Sequence, residues 1–233
     1  LIKYKDKKNI NSKTDDFLKK RFKENKDIYI FCLNVLWDNC VSESSGIFSN
    51  PEEMAVELIK YFSLKPNLTL VIRAHPAESN LMGTSMSSKY VIEKLLNKKI
   101  SDFSSILWID SENSYSSYNL FKYAKAGFTF NGTIGLELMY NSIPLFIGGI
   151  ANYSNKSFTY DFNDKKSFFD LIDNPKIISD LQNKKRDILL KYILFYLNIN
   201  EIEIPFFKDN IWCQPNYNMS FKNIQKHLVV NSV

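Results

Sequence analysis

The chain has 233 residues, 45% of them hydrophobic and 24% charged, with a formal net charge of +5. That is ample apolar material for one large domain, and it excludes disordered, collagen-like and disulfide-stapled chains. Residues 1–27 carry ten Lys/Arg against five Asp/Glu and so hold the whole excess; the other 206 residues are neutral, which excludes a broadly basic nucleic-acid surface.

Residues 1–27, rich in Lys, Asn and Asp, read as a basic linker or as a lead-in helix around Phe17, Leu18 and Phe22. Ile28 to Leu33 is a short apolar, β-rich run, the pattern of a buried strand. Asn50-Pro51-Glu52-Glu53 starts a helix, with Asn as cap and Pro first; Met54, Leu58, Tyr61 and Phe62 continue it at helical spacing. A second strand, Leu68 to Ile72, runs into Arg73-Ala74-His75-Pro76. Tyr90 to Leu96 reads as a helix, Ile106 to Ile109 as a strand, Ser117 to Ala126 as a helix and Phe128 to Phe130 as a strand. Ile134 to Tyr140 is a further helix and Pro144 to Ile147 a fifth strand, closed by Gly148-Gly149. Helical stretches follow at Asp164 to Leu171 and from Pro175 to Asn198; the tail has no clear period. The alternation predicts an α/β fold: a parallel sheet of about five strands with helices on both faces, plus C-terminal helices. The expected divisions are 1–27, an α/β domain at 28–180, and a helical extension and tail at 181–233.

Cys32, Cys40 and Cys213 are too few and too scattered for a disulfide framework or a zinc site, which points to a reducing, cytoplasmic setting and no bound metal. The most apolar stretch, Ile188 to Leu197, is broken by Lys191, so no membrane span is expected. The chain starts at Leu1, not Met, and reads as a fragment.

In an open parallel sheet, ligands sit beyond the carboxyl ends of the strands. That rule selects 34–38, 73–78, 110–113, 131–133 and 148–153. The chain has three arginines and two histidines, and one of each, Arg73 and His75, falls at the end of the second strand. A His there can donate to a phosphate oxygen or protonate a leaving group, with Pro76 fixing the turn that aims it; the alternative is a His bonded to backbone. Asn131-Gly132-Thr133 joins the fourth strand to the next helix. Gly132 admits close approach of a ligand and Thr133 offers donors at a helix start; the alternative is an ordinary cap. Glu137 lies on the Thr133 face, four residues on, suited to ribose hydroxyls or to solvent. Asp38 is a nucleophile, a general base or a turn residue, and Glu78 is a second carboxylate near His75. There is no Walker A loop, GxGxxG, HExxH or GxSxG motif.

These segments together resemble the C-terminal, donor-binding half of the capsule polysaccharide biosynthesis glycosyltransferases. Those proteins are of GT-B type, related to the β-Kdo transferases. The resemblance is carried by Leu33-Asn34-Val35-Leu36-Trp37-Asp38, Val71-Ile72-Arg73-Ala74-His75-Pro76-Ala77-Glu78 and Asn131-Gly132-Thr133-Ile134-Gly135-Leu136-Glu137. It continues through Ser117-Tyr118-Asn119-Leu120, Ile143 to Gly149, and Tyr153 with Phe158-Thr159-Tyr160-Asp161, over roughly 28–205. It implies a Rossmann-like domain that binds a nucleotide sugar, CMP-Kdo-like, with the sugar passed to a growing or lipid-linked glycan. It implies His75 and Thr133 as donor-phosphate contacts, with Arg73, Pro76, Glu78, Asn131 and Gly132 around them. Glu137 becomes a nucleotide-sugar ligand, and Asp38 and His75 the catalytic pair; no cofactor or metal is implied. Relatives more often carry Ser-Ser or Ser-Thr where this chain has Asn131-Gly132-Thr133.

A GT-B enzyme needs a second, N-terminal domain for its acceptor, expected here as a missing partner. With it, residues 1–27 become an inter-domain linker near the cleft or an anionic inner-membrane surface. Two alternatives remain open: a CDP-glycerol-type phosphotransferase and a non-catalytic nucleotide-sugar-binding domain. A sugar 2-epimerase is disfavoured by the lack of a matching acid/base set.

Overall fold

The computed structural model describes residues 12–36, 46–80 and 87–199. The chain divides into two compact units, Leu1–Leu190 and Lys191–Val233; of the second, residues 191–199 are described, as the end of the last helix.

Among the described residues five strands form one sheet: β1 (Asp27–Cys32), β2 (Leu68–Arg73), β3 (Ile106–Ile109), β4 (Ala124–Thr129) and β5 (Leu145–Ile147). Their order is β3-β2-β1-β4-β5 and every pairing is parallel. The helices are α1 (Ser12–Lys23), α2 (Pro51–Ser63), α3 (Ser88–Leu96), α4 (Ser117–Phe121), α5 (Ile134–Tyr140), α6 (Lys165–Asp170), α7 (Lys176–Lys184) and α8 (Arg186–Ile199). The α/β alternation expected from the sequence is therefore present, as a Rossmann-like parallel sheet.

β1 shows why the sheet is two-faced. Its odd-numbered residues Tyr29 and Phe31 join a core with Met54, Leu58 and Phe62 of α2, Phe168 of α6 and Ile178 of α7. Its even-numbered residues Ile28, Ile30 and Cys32 join a second core with Leu18 of α1, Tyr115 and Leu120 of α4. Alternate side chains point to opposite faces, and helices cover both, so the whole strand reads as apolar. Each large side chain so buried contributes about 2–3 kcal/mol.

Local chemistry sets the helix starts. The Asn50 side chain accepts from the Glu53 N–H at 2.7 Å and the Glu53 carboxylate accepts from the Ser49 N–H at 2.7 Å, with Pro51 in the first turn. This reciprocal bonding satisfies donors that a helix start leaves unpaired.

Two elements differ from the sequence reading, and a third, residues 12–23, takes one of the two forms that reading left open. The helix expected to reach Ala126 stops at Phe121, and β4 begins at Ala124. Lys122 to Ala126 suits a helix by propensity, but pairing beside β1 and the Lys125–Asp27 ion pair at 2.5 Å prevail. The stretch from Pro175 is two helices, interrupted at Lys185. Residues 12–23 are a docked helix. Leu18 is fully buried, and Asp15, 5% exposed, accepts from the hydroxyls of Tyr115 (3.0 Å) and Tyr123 (3.2 Å) and pairs with Lys19 (2.6 Å).

Candidate functional site

The chain runs outward from β1 to β2 and β3, then returns to place β4 on the other side of β1. Strand order reverses there, the place where the loops of an open parallel sheet part to form a ligand crevice. The turns after β2, β1 and β4 lie side by side, and they carry His75, Asn34 and Asn131 to Thr133.

The turn after β4 is held from several sides. Asn34 Nδ2, from the end of β1, donates to Asn131 Oδ1 at 2.6 Å across the crevice floor. The Gly132 N–H donates to Thr129 Oγ1 at 3.1 Å. The buried Tyr153 hydroxyl, from the loop after β5, donates to the Gly132 carbonyl at 2.6 Å. A Cβ at Gly132 would stand 3.1 Å from Thr129 Oγ1, a tight contact, and 3.6 Å from Asn34 Nδ2, an ordinary one. Thr133 caps the seven-residue α5 with its backbone alone; its side chain makes no capping bond and is exposed.

His75 lies in the turn after β2, partly exposed, and its Nδ1 accepts from the Ala77 N–H at 3.1 Å. A backbone N–H only donates, so Nδ1 carries the lone pair and the neutral ring carries its proton on Nε2. Nε2–H is then a hydrogen-bond donor held by the exposed Pro76 and the 3-10 turn Pro76–Asn80.

Arg73 is placed differently from a phosphate contact. It is 5% exposed, and its terminal nitrogens donate to the carbonyls of Asp110 and of Asn113 (3.0 Å to the latter), so it braces the loop after β3. Burial pulls its pKa down, opposed by the neighbouring Cys32, Asp110 and Glu78. Beside it, burial pushes the Cys32 thiol up to about 12, which keeps it protonated. Glu78 accepts from the Ser88 N–H at 3.3 Å, at the start of α3, while its Oε1 is buried without a partner among the described residues. Glu137, half-buried on α5, has its carboxyl pushed up by burial, with a hydrogen bond from Tyr118 acting the other way. Asp38 lies outside the described residues.

The fold thus places His75 after β2 and Asn131, Gly132 and Thr133 after β4, on either side of β1 at the carboxyl edge of the sheet, with Glu137 one turn further, and it directs Arg73 and Glu78 to neighbouring loops. Asn34 and Tyr153 both fell within the strand-end positions and the resemblance, but neither was singled out; the mark of each is a partner distant in sequence, 97 residues away for Asn34 and 21 for Tyr153. Among the described residues no three His, Cys, Asp or Glu side chains cluster to hold a metal ion, and no helix is long and apolar enough to cross a membrane.

A five-stranded parallel sheet with a strand-order reversal and polar turns at its carboxyl edge defines a Rossmann-like protein. The chain matches the family described as capsule polysaccharide biosynthesis protein over residues 2–190, and it belongs to that family. No curated protein matches it. Similar solved structures include the wall teichoic acid polymerase TagF, at 15% identity and a TM-score of 0.48, covering 76% of this chain and 43% of that one. A UDP-GlcNAc 2-epimerase from Neisseria meningitidis, bound to UDP-GlcNAc, is 13% identical with a TM-score of 0.49, over 82% of this chain and 50% of that one. KpsC of Thermosulfurimonas dismutans, a beta Kdo 2,7 transferase, is 17% identical with a TM-score of 0.40, over 64% and 47%. The chain spans about half the length of these structures, or less.

Proposed function

We propose that this chain is the donor-binding half of a glycosyltransferase of capsule polysaccharide biosynthesis. It takes a sugar linked to a nucleotide, of the CMP-Kdo kind, and presents it to a growing or lipid-linked glycan held by a second α/β domain. The observation that carries this reading is the strand order, which brings the turns after β2 and β4, with His75 and the exposed Thr133, to the carboxyl edge of the sheet on either side of β1.

Donors fixed before the reaction stabilise negative charge as it develops on the leaving phosphate, because they need no reorganisation at that moment. Glu137 would accept from a sugar hydroxyl, and Asp38, by its place after the first strand, would act as nucleophile or base. The family membership and the turn geometry support this assignment.

Calorimetric titration with CMP, CDP and UDP tests it. Tighter binding of the cytidine nucleotides is expected, weakened about tenfold or more in His75→Ala, with unchanged folding by circular dichroism. Equal, weak binding of all three nucleotides, or an unchanged Kd in the variant, overturns the reading; a preference for CDP over CMP favours a phosphotransferase.

A further inference from the structure

We propose that Tyr153 is the positioning residue of the crevice: through the Gly132 carbonyl it sets the Asn131-Gly132-Thr133 turn in the one geometry that grips phosphate. This rests on the nucleotide-binding reading above.

Three observations carry it. The Tyr153 side chain is fully buried, and its hydroxyl donates to the Gly132 carbonyl at 2.6 Å from a loop 21 residues further along the chain. The residue facing that hydroxyl is Gly135, where a Cβ would collide with the Tyr153 oxygen and stand 2.9 Å from Leu145 Cδ2. A glycine in the first turn of a helix costs about 1 kcal/mol relative to alanine, so the notch it leaves for a hydroxyl has a price that the helix itself does not repay. The loop bearing Tyr153 is itself clasped: both Asp161 carboxylate oxygens accept from the Asn155 N–H (3.2 and 3.1 Å), and Oδ2 also accepts from Thr159 Oγ1 at 2.9 Å. Asn155, with φ 59°, takes the left-handed conformation at that clasp.

The turn is thereby fixed on its amide side by Thr129 and on its carbonyl side by Tyr153 together with the Gly135 N–H (3.1 Å), while Asn34 fixes the residue before it. Thr133, which touches none of these anchors through a capping bond, is the group they present. Small displacements matter in such a site, because a donor aimed even 1 Å wide loses most of its value to a developing charge. Tyr153 touches no ligand in this scheme and acts only by holding the turn.

The test compares Kd values for CDP and cytidine in the full chain, wild type and Tyr153→Phe. The phosphate increment, the ratio of the two, is the readout, because a purely structural role would move both ligands together or only the melting temperature. Tyr153→Phe is expected to cut the increment about fivefold, the worth of one hydrogen bond, while leaving cytidine binding within twofold. Gly135→Ala strikes the same bond from the other side and should cut the increment similarly, and the double variant should lose no more than the worse single one. An increment retained in both variants overturns the inference and leaves the nucleotide reading standing. A wild-type chain that binds CDP no better than cytidine overturns both.

Discussion

Arg73 and His75 stand two residues apart at the end of one strand and act in opposite directions. The arginine is buried and gives its terminal nitrogens to the backbone of the next loop; the histidine's Nδ1 accepts from the Ala77 N–H two residues on. Sequence position alone made them equivalent, because the carbonyls that bind Arg73 lie 37 and 40 residues away. The places of His75, Gly132 and Thr133 after strands were legible, because the strand-end rule needs only the strand and the turn after it. The bonds made by Asn34 and Tyr153 were not, because each takes its meaning from a partner met only in the folded chain. Glu137 offers a measurement at this scale. Burial raises its carboxyl above the ordinary Glu value, so the site disfavours the ionised form. The stability it contributes is complete below the ordinary Glu pKa and is lost as pH rises through the raised folded value. Glu137→Gln should remove that loss. Urea midpoints for the wild type and the variant should converge at pH 4 and separate at pH 7, the variant being the more stable.

Among the elements, α1 was open to two readings, a basic linker or a lead-in helix. Five of its twelve residues are Lys or Arg. Yet one fully buried leucine and one buried aspartate fix it to the sheet. The Lys19 ammonium holds the Asp15 carboxyl below its usual range against the opposing effect of burial, and two tyrosine hydroxyls complete its bonds. Composition averages over a helix and misses two anchoring positions; spacing sees them only when the partner surface is known. Leu18→Ala should cost about 3 kcal/mol of stability by denaturant unfolding, the usual loss for a buried leucine, whereas a solvated segment would lose nothing. The helix read through to Ala126 failed for the same kind of reason: an edge beside β1 recruited residues whose own preference is helical.

At the scale of the whole molecule, five strands and their order decide where a ligand goes. The alternation of strands and helices was fully legible, since both faces of the sheet must be covered and the chain writes that as apolar runs between amphipathic ones. The spatial order was not, because it depends on which side of β1 the fourth strand joins. That side places the crevice between β1 and β4. Nuclear magnetic resonance titration with CDP should therefore move the amides of Asn34, His75 and Gly132 to Ile134 and leave those of β3 and α7 in place. Shifts centred on β3 or α7 would put the ligand elsewhere.

The same strand order governs how the protein comes off the ribosome. β1 is synthesised first and sits in the middle, so Phe31 waits for Phe128 to emerge before its second edge is closed. At cellular elongation rates that wait is roughly 5–20 s, spent with an apolar strand edge exposed to other nascent chains. The Tyr153 hydroxyl, which bonds the Gly132 carbonyl, arrives later still. Until β4 emerges the turns bearing Asn34 and His75 stand beside an open edge of β1, and that edge is where another nascent chain would pair.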